Sequence, residues 1–373
     1  MSTIKIEKIL VYQLTIPLDY VYEISGGRML TEIDSTIVGV YTNSGLIGWG
    51  ESCPCGNNYL PNFPGGIRAG LDVVGPGLIG GNPLHVQRVY DRMNHLLAGH
   101  GYAKSAIDMA CWDLLGKSTG LAVYELLGGD YGQPTPIVVG VPALTPDESI
   151  QRINEFRARG CRIFSSKAKG DPRGDLERMT VIMSQALPGE NYICDANGGF
   201  TTLAAIETAK ALREMNVVVE QPCSRIDECR VVRETTGCRM VLDEPINGID
   251  DLFNAIQTRA ADVLNLKVTR LGGISPLWRM IQTAISLNTP VTVQDAGGTD
   301  ITRAALAHVA HALPPKFRHS VYDPYDWHSR FISEGRGAVV HDGSMSPHDT
   351  PGLGVEPDPD ILGVPVAVYE AQV

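Results

Sequence analysis

Short apolar runs separated by longer mixed stretches make up the chain from about residue 136 to residue 323. The runs recur at intervals of roughly 20–30 residues, with helix-length polar stretches between them, which is typical of parallel βα units. Eight successive units favour a closed (β/α)8 barrel over an open doubly wound sheet. The predicted strands are 136–141, 162–169, 191–198, 217–222, 239–245, 263–268, 290–297 and 318–323.

The first third of the chain has a different pattern. Its first 60 residues read as antiparallel strands, with one strand over 35–42, a turn at 43–45 and a returning strand over 46–51. Between about 66 and 130 the apolar positions recur in steps of three and four, which is typical of helices. We therefore predict an α+β capping domain over 1–130, a (β/α)8 catalytic barrel over 131–340, and a loop-rich segment over 341–373 that returns to the capping domain.

Composition and charge narrow the functional classes. The chain has 373 residues, a net charge of −11 and scattered Lys and Arg, so we expect no nucleic-acid or membrane partner. The first residues lack the apolar run of a signal peptide, and no long apolar stretch follows, so we expect a cytoplasmic protein. The eight cysteines include the pair Cys53 and Cys55 without a matching second pair, which favours reduced thiols over a zinc site.

Ionisable residues mark the ends of six successive predicted barrel strands. The carboxyl ends of barrel strands meet on one face, where barrel enzymes build their active sites. Carboxylates from adjacent strands would repel one another, and a hard cation with oxygen ligands resolves this, so we predict Mg²⁺, with Mn²⁺ as the alternative. Neither a dinucleotide-binding glycine motif nor a P-loop is present at the strand ends. The six residues are Lys167, Asp195, Glu220, Asp243, Lys267 and Asp295.

The two lysines flank the three carboxylates, since Lys167 lies one strand before them and Lys267 one strand after them. A partly desolvated lysine near other cations has a lowered pKa and can act as a base near neutral pH. A metal that binds the substrate carboxylate stabilises the enediolate left when the α-proton departs. The pattern therefore predicts an enzyme that removes a proton α to a carboxylate.

The segments DAN (195–197), VEQP (219–222), LDEP (242–245) and KVTRLGG (267–273) resemble the enolase superfamily, in its muconate-lactonising and mandelate racemase-like group. The similarity covers nearly the whole chain, including 48–51, 106–117, 126–129 and 351–355. It implies that Asp195, Glu220 and Asp243 are the metal ligands and that Lys167 and Lys267 are the acid/base pair. It also implies a homo-oligomer.

One departure concerns the second barrel strand. The family usually shows two lysines separated by one residue, with the second catalytic, whereas this chain reads Ser165-Ser166-Lys167-Ala168-Lys169. The Asp-Pro that follows at 171–172 favours Lys167 as the catalytic lysine, with Ser165 in the place of the first. Lys169 stays open as the alternative.

Several segments resemble the cis-3-hydroxy-L-proline dehydratases and, next to them, the 2-epimerases of proline and hydroxyproline betaines. They are 24–28, 34–36, 53–61, 99–113, 220–229 and 294–299. The resemblance implies a small proline-like carboxylate as substrate. Asp295 is a candidate partner for the substrate ammonium. Further substrate-binding candidates are Tyr20, Tyr22, Tyr59, Asn197 and Trp327, and weaker ones are Glu244 and Asp323.

Four functional readings follow from the sequence. Two lysines on opposite sides of a substrate suit dehydration by anti elimination, and they suit 1,1-proton transfer by a racemase or epimerase equally well. A Schiff-base aldolase using Lys267 would need no carboxylate trio. A non-catalytic barrel would be expected to lack one of the five key positions, and all five are filled.

Overall fold

The computed structural model describes residues 4–371. Within these residues, fourteen strands and thirteen α-helices form two sheets with their covering helices, and three short 3-10 helices lie at 25–27, 76–78 and 324–326. The strands are β1 (Ile6–Ile24), β2 (Arg28–Thr42), β3 (Ile47–Ser52), β4 (Thr135–Val141), β5 (Ile163–Lys167), β6 (Asn191–Asp195), β7 (Val218–Glu220), β8 (Met240–Leu242), β9 (Val263–Lys267), β10 (Val291–Gln294), β11 (Arg318–Tyr322), β12 (Val339–His341), β13 (Ser344–Ser346) and β14 (Ala367–Glu370). The helices are α1 (Pro64–Val74), α2 (Val86–Leu96), α3 (Gly101–Thr119), α4 (Val123–Leu126), α5 (Pro146–Ala158), α6 (Pro172–Met183), α7 (Thr202–Glu214), α8 (Ile226–Thr236), α9 (Ile249–Gln257), α10 (Val268–Leu271), α11 (Ile274–Ser286), α12 (Asp300–His311) and α13 (Pro359–Leu362).

Strands β4 to β11 form the predicted barrel. They are parallel and lie in chain order, and β11 pairs with β4 through Val321–Ile137 and Tyr322–Val138, which closes the barrel. Asp195 is the register partner of both Lys167 and Glu220, so the charged ends of three neighbouring strands lie at one level. The prediction of a (β/α)8 barrel is confirmed.

A separate antiparallel sheet in the order β14-β1-β2-β3 forms the N-terminal domain, with α3 packed against it. Glycines in β3 let the sheet approach the helix closely. A Cβ at Gly50 would lie 1.8 Å from the carbonyl oxygen of Ala106, and one at Gly48 would lie 2.2 Å from that of Ala110. Larger residues at these positions would push the helix off the sheet.

The hairpin of β1 and β2 is longer than the sequence indicates. The prediction began the second strand at residue 35, whereas β2 begins at Arg28 and pairs with β1 as far as Ile24. The extension was missed because only Leu30 and Ile33 are buried among its first six residues, which leaves little apolar pattern to read. The extension matters for function because it carries Tyr22 towards the barrel mouth.

The C-terminal segment contacts both sheets. β13 pairs with β4 of the barrel, and β14 pairs with β1 of the N-terminal sheet. All eight cysteines are buried free thiols. Within residues 4–371, no helix is long and apolar enough to cross a membrane.

His308 in α12 joins the barrel to two distant segments. Its Nδ1 accepts a hydrogen bond from the Tyr124 backbone N–H at 3.3 Å, and its Nε2 lies 3.2 Å from the Leu353 carbonyl oxygen. One neutral tautomer satisfies both contacts. Burial lowers the pKa of His308 to about 3.

We expect His308 to make the fold acid-sensitive. Its pKa is about 3 when folded and near 6.5 when unfolded, so between these values the unfolded chain binds the extra proton. The stabilisation is therefore complete above about pH 6.5 and is lost as the pH falls towards 3. In urea unfolding at pH 5.0 and 7.5, His308→Gln, which keeps one donor and one acceptor but does not titrate, should lose less stability on acidification than the wild type. Equal losses would contradict this assignment.

Candidate active site

A cavity lies at the carboxyl ends of the barrel strands, beneath the loop that carries Tyr59 and the end of β1. Most of the sequence-predicted site residues meet there. Those that line it are Tyr22, Tyr59, Lys167, Asn197, Glu220, Asp243, Lys267, Asp295 and Trp327. Asp195 does not line the cavity; it is fully buried and contacts Lys167 and Asn197.

Lys167 ends β5, and its ammonium is paired with Asp195. Burial alone would lower the pKa of Lys167, but Asp195, Tyr22 and Glu220 outweigh it and raise the pKa well above its usual value. Lys167 is therefore held in its charged form in this arrangement, whereas the sequence analysis expected a lowered pKa for a catalytic lysine.

Lys169, the open alternative, does not reach the cavity. Strand β5 ends at Lys167, and the chain then turns, with the Ala168 N–H donating to the Asp195 carbonyl. The Lys169 side chain is about half exposed, and its Nζ lies 3.8 Å from Glu23 Oε2. Residues two apart in a strand lie on the same face, but Lys169 lies beyond the end of β5, so this rule does not apply to it.

Lys267 ends β9 and forms a denser network. Its Nζ lies 2.7 Å from Asp243 Oδ2 and donates to the Tyr59 hydroxyl at 2.8 Å. Arg270 Nη1 donates to the other Asp243 oxygen at 2.9 Å. Burial alone would raise the pKa of Asp243, but Lys267 and Arg270 hold it at about 2. Sequence reasoning did not assign Arg270 a role, although it lies within the 267–273 motif.

The two lysines lie on opposite sides of the barrel. β5 is the second strand and β9 the sixth in a closed ring of eight, so three strands lie between them in either direction. Both lysines line the same cavity. A substrate bound between them would therefore be approached from two opposite faces.

Glu220 is held by neutral donors, and no cation among residues 4–371 forms an ion pair with it. Asn265 Nδ2 donates to Oε1 at 2.7 Å, and Ser165 Oγ donates to Oε2 at 3.3 Å. Burial and the nearby charge of Asp195 raise the pKa of Glu220 well above its usual value. Asn265 was missed, yet it lies two residues before Lys267 in one strand, a spacing that places both on the same face.

Asp195, Glu220 and Asp243 are suited to a hard divalent cation by their chemistry. All are carboxylates at the ends of three adjacent strands, and hard oxygen donors are the ligands that Mg²⁺ prefers. Burial, together with the neighbouring charges of Asp195 and Asp243, raises the pKa of Glu220, and a bound cation would offset this effect. Within residues 4–371, no group of three carboxylate, Cys or His side chains is arranged to hold a metal ion as the structure stands. Two of the three carboxylates are instead paired with lysines, Asp195 with Lys167 and Asp243 with Lys267.

Glu244 connects the capping loop to the barrel. Its Oε1 accepts from the Tyr59 hydroxyl at 2.8 Å and from Asn197 Nδ2 at 3.0 Å. Asn197 also donates to Asp195, from its backbone N–H at 2.8 Å and its side chain at 3.0 Å. Burial, together with Asp243, raises the pKa of Glu244. Glu244 and Asn197 therefore position the Tyr59 loop and Asp195.

Asp295 keeps one oxygen without a partner. The hydroxyl of Thr269 and the Ala296 N–H both donate to Oδ1, whereas Oδ2 is buried and accepts no hydrogen bond from the described part of the chain. Burial raises the pKa of Asp295 to about 7. Because Asp295 lines the cavity, it can accept a hydrogen bond from a ligand.

Aromatic rings close one side of the cavity. The rings of Tyr22 and Trp327 lie 4.5 Å apart, and both line the space. Tyr322, which sequence reasoning did not propose, also lines it with an unpartnered buried hydroxyl. Tyr22 is completely buried, and a Cβ at Gly140 would lie 2.4 Å from its hydroxyl.

Two candidates from the sequence lie elsewhere. Tyr20 donates its hydroxyl to the Asp326 carbonyl at 2.8 Å, and the guanidinium of Arg152 covers its ring at 4.5 Å. Asp323 is fully buried and pairs with Arg303 at 2.7 Å. Neither residue lines the cavity. Tyr20 packs instead against Arg152 of α5, and Asp323 pairs with Arg303 of α12.

Comparison with known proteins agrees with this arrangement. Residues 148–361 match the enolase C-terminal domain-like family, and residues 23–128 match the N-terminal domain of mandelate racemase and muconate lactonizing enzyme. The chain belongs to the enolase superfamily. This membership confirms the prediction of an enzyme and argues against the non-catalytic barrel.

Curated relatives differ in their reactions. The cis-3-hydroxy-L-proline dehydratase of Roseibium aggregatum is 37% identical over 98% of this chain and 100% of its own length. The N-succinyl-L-Arg/Lys racemase of Bacillus cereus is 27% identical over 82% of this chain and 84% of its own. The chain is therefore similar to both a dehydratase and a racemase.

Solved structures match along almost the whole chain. A mandelate racemase/muconate lactonizing enzyme from Roseovarius nubinhibens has a TM-score of 0.95 at 35% identity, covering 99% of both chains. An enolase superfamily member from the same organism, described as complexed with magnesium, has a TM-score of 0.92 at 34% identity, covering 99% of this chain and 100% of its own.

Proposed function

We propose that this protein is a Mg²⁺-dependent dehydratase that abstracts the α-proton of cis-3-hydroxy-L-proline or a closely similar cyclic amino acid. The observation that carries the proposal is the placement of Lys167 and Lys267 on opposite strands around one cavity. Similarity to the dehydratase of Roseibium aggregatum supports the choice of substrate.

The stereochemistry of the substrate fits two opposed lysines. In cis-3-hydroxy-L-proline the hydroxyl and the carboxylate share one ring face, so the α-hydrogen lies on the other face. Loss of water is therefore an anti elimination, which requires a base on one face and an acid on the opposite face. One lysine accepts the α-proton, and the other protonates the departing hydroxyl, leaving a pyrroline-2-carboxylate and water.

Asp195, Glu220 and Asp243 would hold the metal. When bound, Mg²⁺ would neutralise the substrate carboxylate and the negative charge of the enediolate formed on loss of the α-proton. The chain's own residues do the rest. Glu244 and Asn197 hold the Tyr59 loop over the cavity, and this arrangement limits the access of water to Lys267, which is 3% exposed.

The remaining lining suits a small ring with an amino group. Tyr22, Tyr59 and Trp327 offer apolar faces to a pyrrolidine ring, and the free oxygen of Asp295 can accept a hydrogen bond from its nitrogen.

Incubation with Mg²⁺ and cis-3-hydroxy-L-proline in D₂O, followed by NMR, tests the proposal. L-Proline and proline betaine serve as parallel substrates. We expect the hydroxyproline to disappear as pyrroline carboxylate forms, and we expect Lys267→Ala to abolish both changes. Absence of exchange and elimination with all three substrates would remove the substrate assignment.

A 2-epimerase of proline-type betaines is the second candidate. The same opposed lysines can remove a proton from one face of Cα and return one to the other. Several relatives at 25–28% identity are epimerases or racemases. In the same NMR experiment, deuterium at Cα of proline or its betaine without elimination would select this reaction.

Removal of the metal should abolish activity. We expect EDTA to reduce turnover to background and Mg²⁺ to restore it, with Mn²⁺ as a substitute, because the substrate carboxylate would otherwise meet Glu220 and Asp243 unshielded. Thermal unfolding gives an independent readout. A Mg²⁺ concentration of 100 times its Kd should stabilise the wild type by about 2.7 kcal/mol. Asp195→Asn should need more Mg²⁺ for the same shift, and an unchanged Mg²⁺ dependence would contradict the ligand assignment.

A further inference from the structure

A second groove, of about 510 Å³, lies between the N-terminal domain and the barrel. It is bordered by α2, the start of α3, the loop after Tyr59 and the chain after β9, and it shares no lining residue with the active-site cavity. None of the described residues that line it carries a carboxylate, although the chain as a whole has a net charge of −11. Its polar side chains include Asn62, Asn94, His100, Lys104, Asn247 and Arg270.

Lys104 is the central cation of this groove. The residue is only 2% exposed, and its Nζ donates one hydrogen bond, to Asn94 Oδ1 at 2.7 Å. No carboxylate in the described part of the chain lies within salt-bridge distance of it. Burial lowers the pKa of Lys104, with no neighbouring charge to offset the effect. An ammonium carries three N–H donors, so two of them remain for a ligand.

The start of α3 supplies further donors at the same place. This helix has 19 residues, its N-cap His100 makes no side-chain cap hydrogen bond, and its first turn holds no acidic residue. Uncapped N–H groups and the helix dipole both favour an anion.

We propose that this groove is an anion-binding site, in which Lys104 and the first turn of α3 bind a small oxyanion of the phosphate or carboxylate class. An uncompensated buried ammonium, an uncapped helix start and a lining without carboxylates all select negative charge. The volume leaves room for an organic group attached to the anion, so inorganic phosphate is the smallest probe of the site.

Calorimetric titration of the full-length protein with inorganic phosphate tests this, with NaCl used to hold the ionic strength constant. We expect saturable binding at one site per chain and a loss of affinity of about tenfold or more in Lys104→Met. Lys210→Met, which removes an exposed lysine from α7, should bind like the wild type. A parallel titration with malonate tells phosphate recognition from carboxylate recognition.

A second variant, His100→Asp, tests the proposal independently in case Lys104→Met does not fold. His100 is exposed and has a φ of 53°, a conformation that aspartate tolerates, and aspartate is a favoured N-cap residue. His100→Asp should therefore fold with a thermal stability close to that of the wild type while its carboxylate blocks anion binding. Undiminished phosphate binding in this variant, or no saturable binding to the wild type up to about 10 mM, would overturn the proposal. If the wild type does not bind phosphate and Lys104→Met sediments differently from the wild type, the groove is a contact between copies of the chain. That outcome would also overturn the proposal.

Discussion

Lys167→Met should lower kcat for the proposed dehydration by about 10²–10⁴-fold, the range that a positioned acid or base contributes. The substituted side chain keeps the length and apolar character of the lysine stem but can neither donate nor accept a proton. Lys169→Met should leave kcat within about twofold, because surface substitutions away from a site have small effects. Steady-state kinetics with cis-3-hydroxy-L-proline and saturating Mg²⁺ measures both.

Lys169→Met is a matched control, since it lies two residues from Lys167 and removes the same charge. Lys169 points towards Glu23 rather than into the cavity. Circular dichroism and thermal unfolding would show that both variants fold, which matters because Lys167→Met leaves Asp195 without its cation when metal is absent. Loss of activity in Lys169→Met with retention in Lys167→Met would reverse the assignment.

The sequence was sufficient to predict the barrel because the length of the apolar runs and the spacing between them both fit βα units. Apolar runs of strand length recur at the spacing of βα units, and every predicted barrel run overlaps one of β4 to β11. The charged residues that interrupt these runs fall at the strand ends, so the sequence also predicted which residues come together. Glu220, Asp243 and Lys267 meet at the cavity for this reason.

The misassigned residues share a physical cause. Tyr20 and Asp323 come from segments that flank the cavity, but Arg152 and Arg303 from distant helices engage them. Nothing in the local sequence marks such partners, because helix-borne arginines normally read as surface residues. Arg270 was overlooked for the same reason, although it is buried against Asp243. Long-range pairing of polar groups depends on the tertiary structure rather than on local pattern.

Glu51 shows a further limit of sequence reasoning. It lies in the GWGE segment (48–51), which contributed to the resemblance without suggesting a role. The structure buries its side chain completely, at the boundary between β3 and the N-terminus of α12. No cation pairs with it among the described residues. Instead, the hydroxyl of Ser35 donates to Oε1 at 2.5 Å, and backbone and hydroxyl groups of Thr299 and Thr302 donate at 2.7–3.0 Å.

Glu51→Ala should be the most destabilising of the substitutions considered, at about 3–5 kcal/mol, since each buried donor left unsatisfied costs roughly 1–3 kcal/mol. The carboxylate also complements the dipole of α12, so its loss removes a favourable charge at a helix N-terminus. Because its partners lie in both the N-terminal sheet and the barrel, the effect falls on the docking of the two. Urea unfolding followed by fluorescence and circular dichroism measures the free energy of unfolding.

Glu177→Ala is the control for this substitution. Glu177 is an exposed carboxylate whose partner is Arg173 on the same helix, so its removal should cost no more than about 0.5 kcal/mol. Glu51→Gln separates charge from shape, because its amide retains one acceptor oxygen but turns two N–H donors towards groups that are themselves donors. Its loss of stability should therefore approach that of Glu51→Ala. A cost below about 1 kcal/mol for Glu51→Ala would mean that water replaces the carboxylate at this boundary and that the two domains do not depend on it for docking.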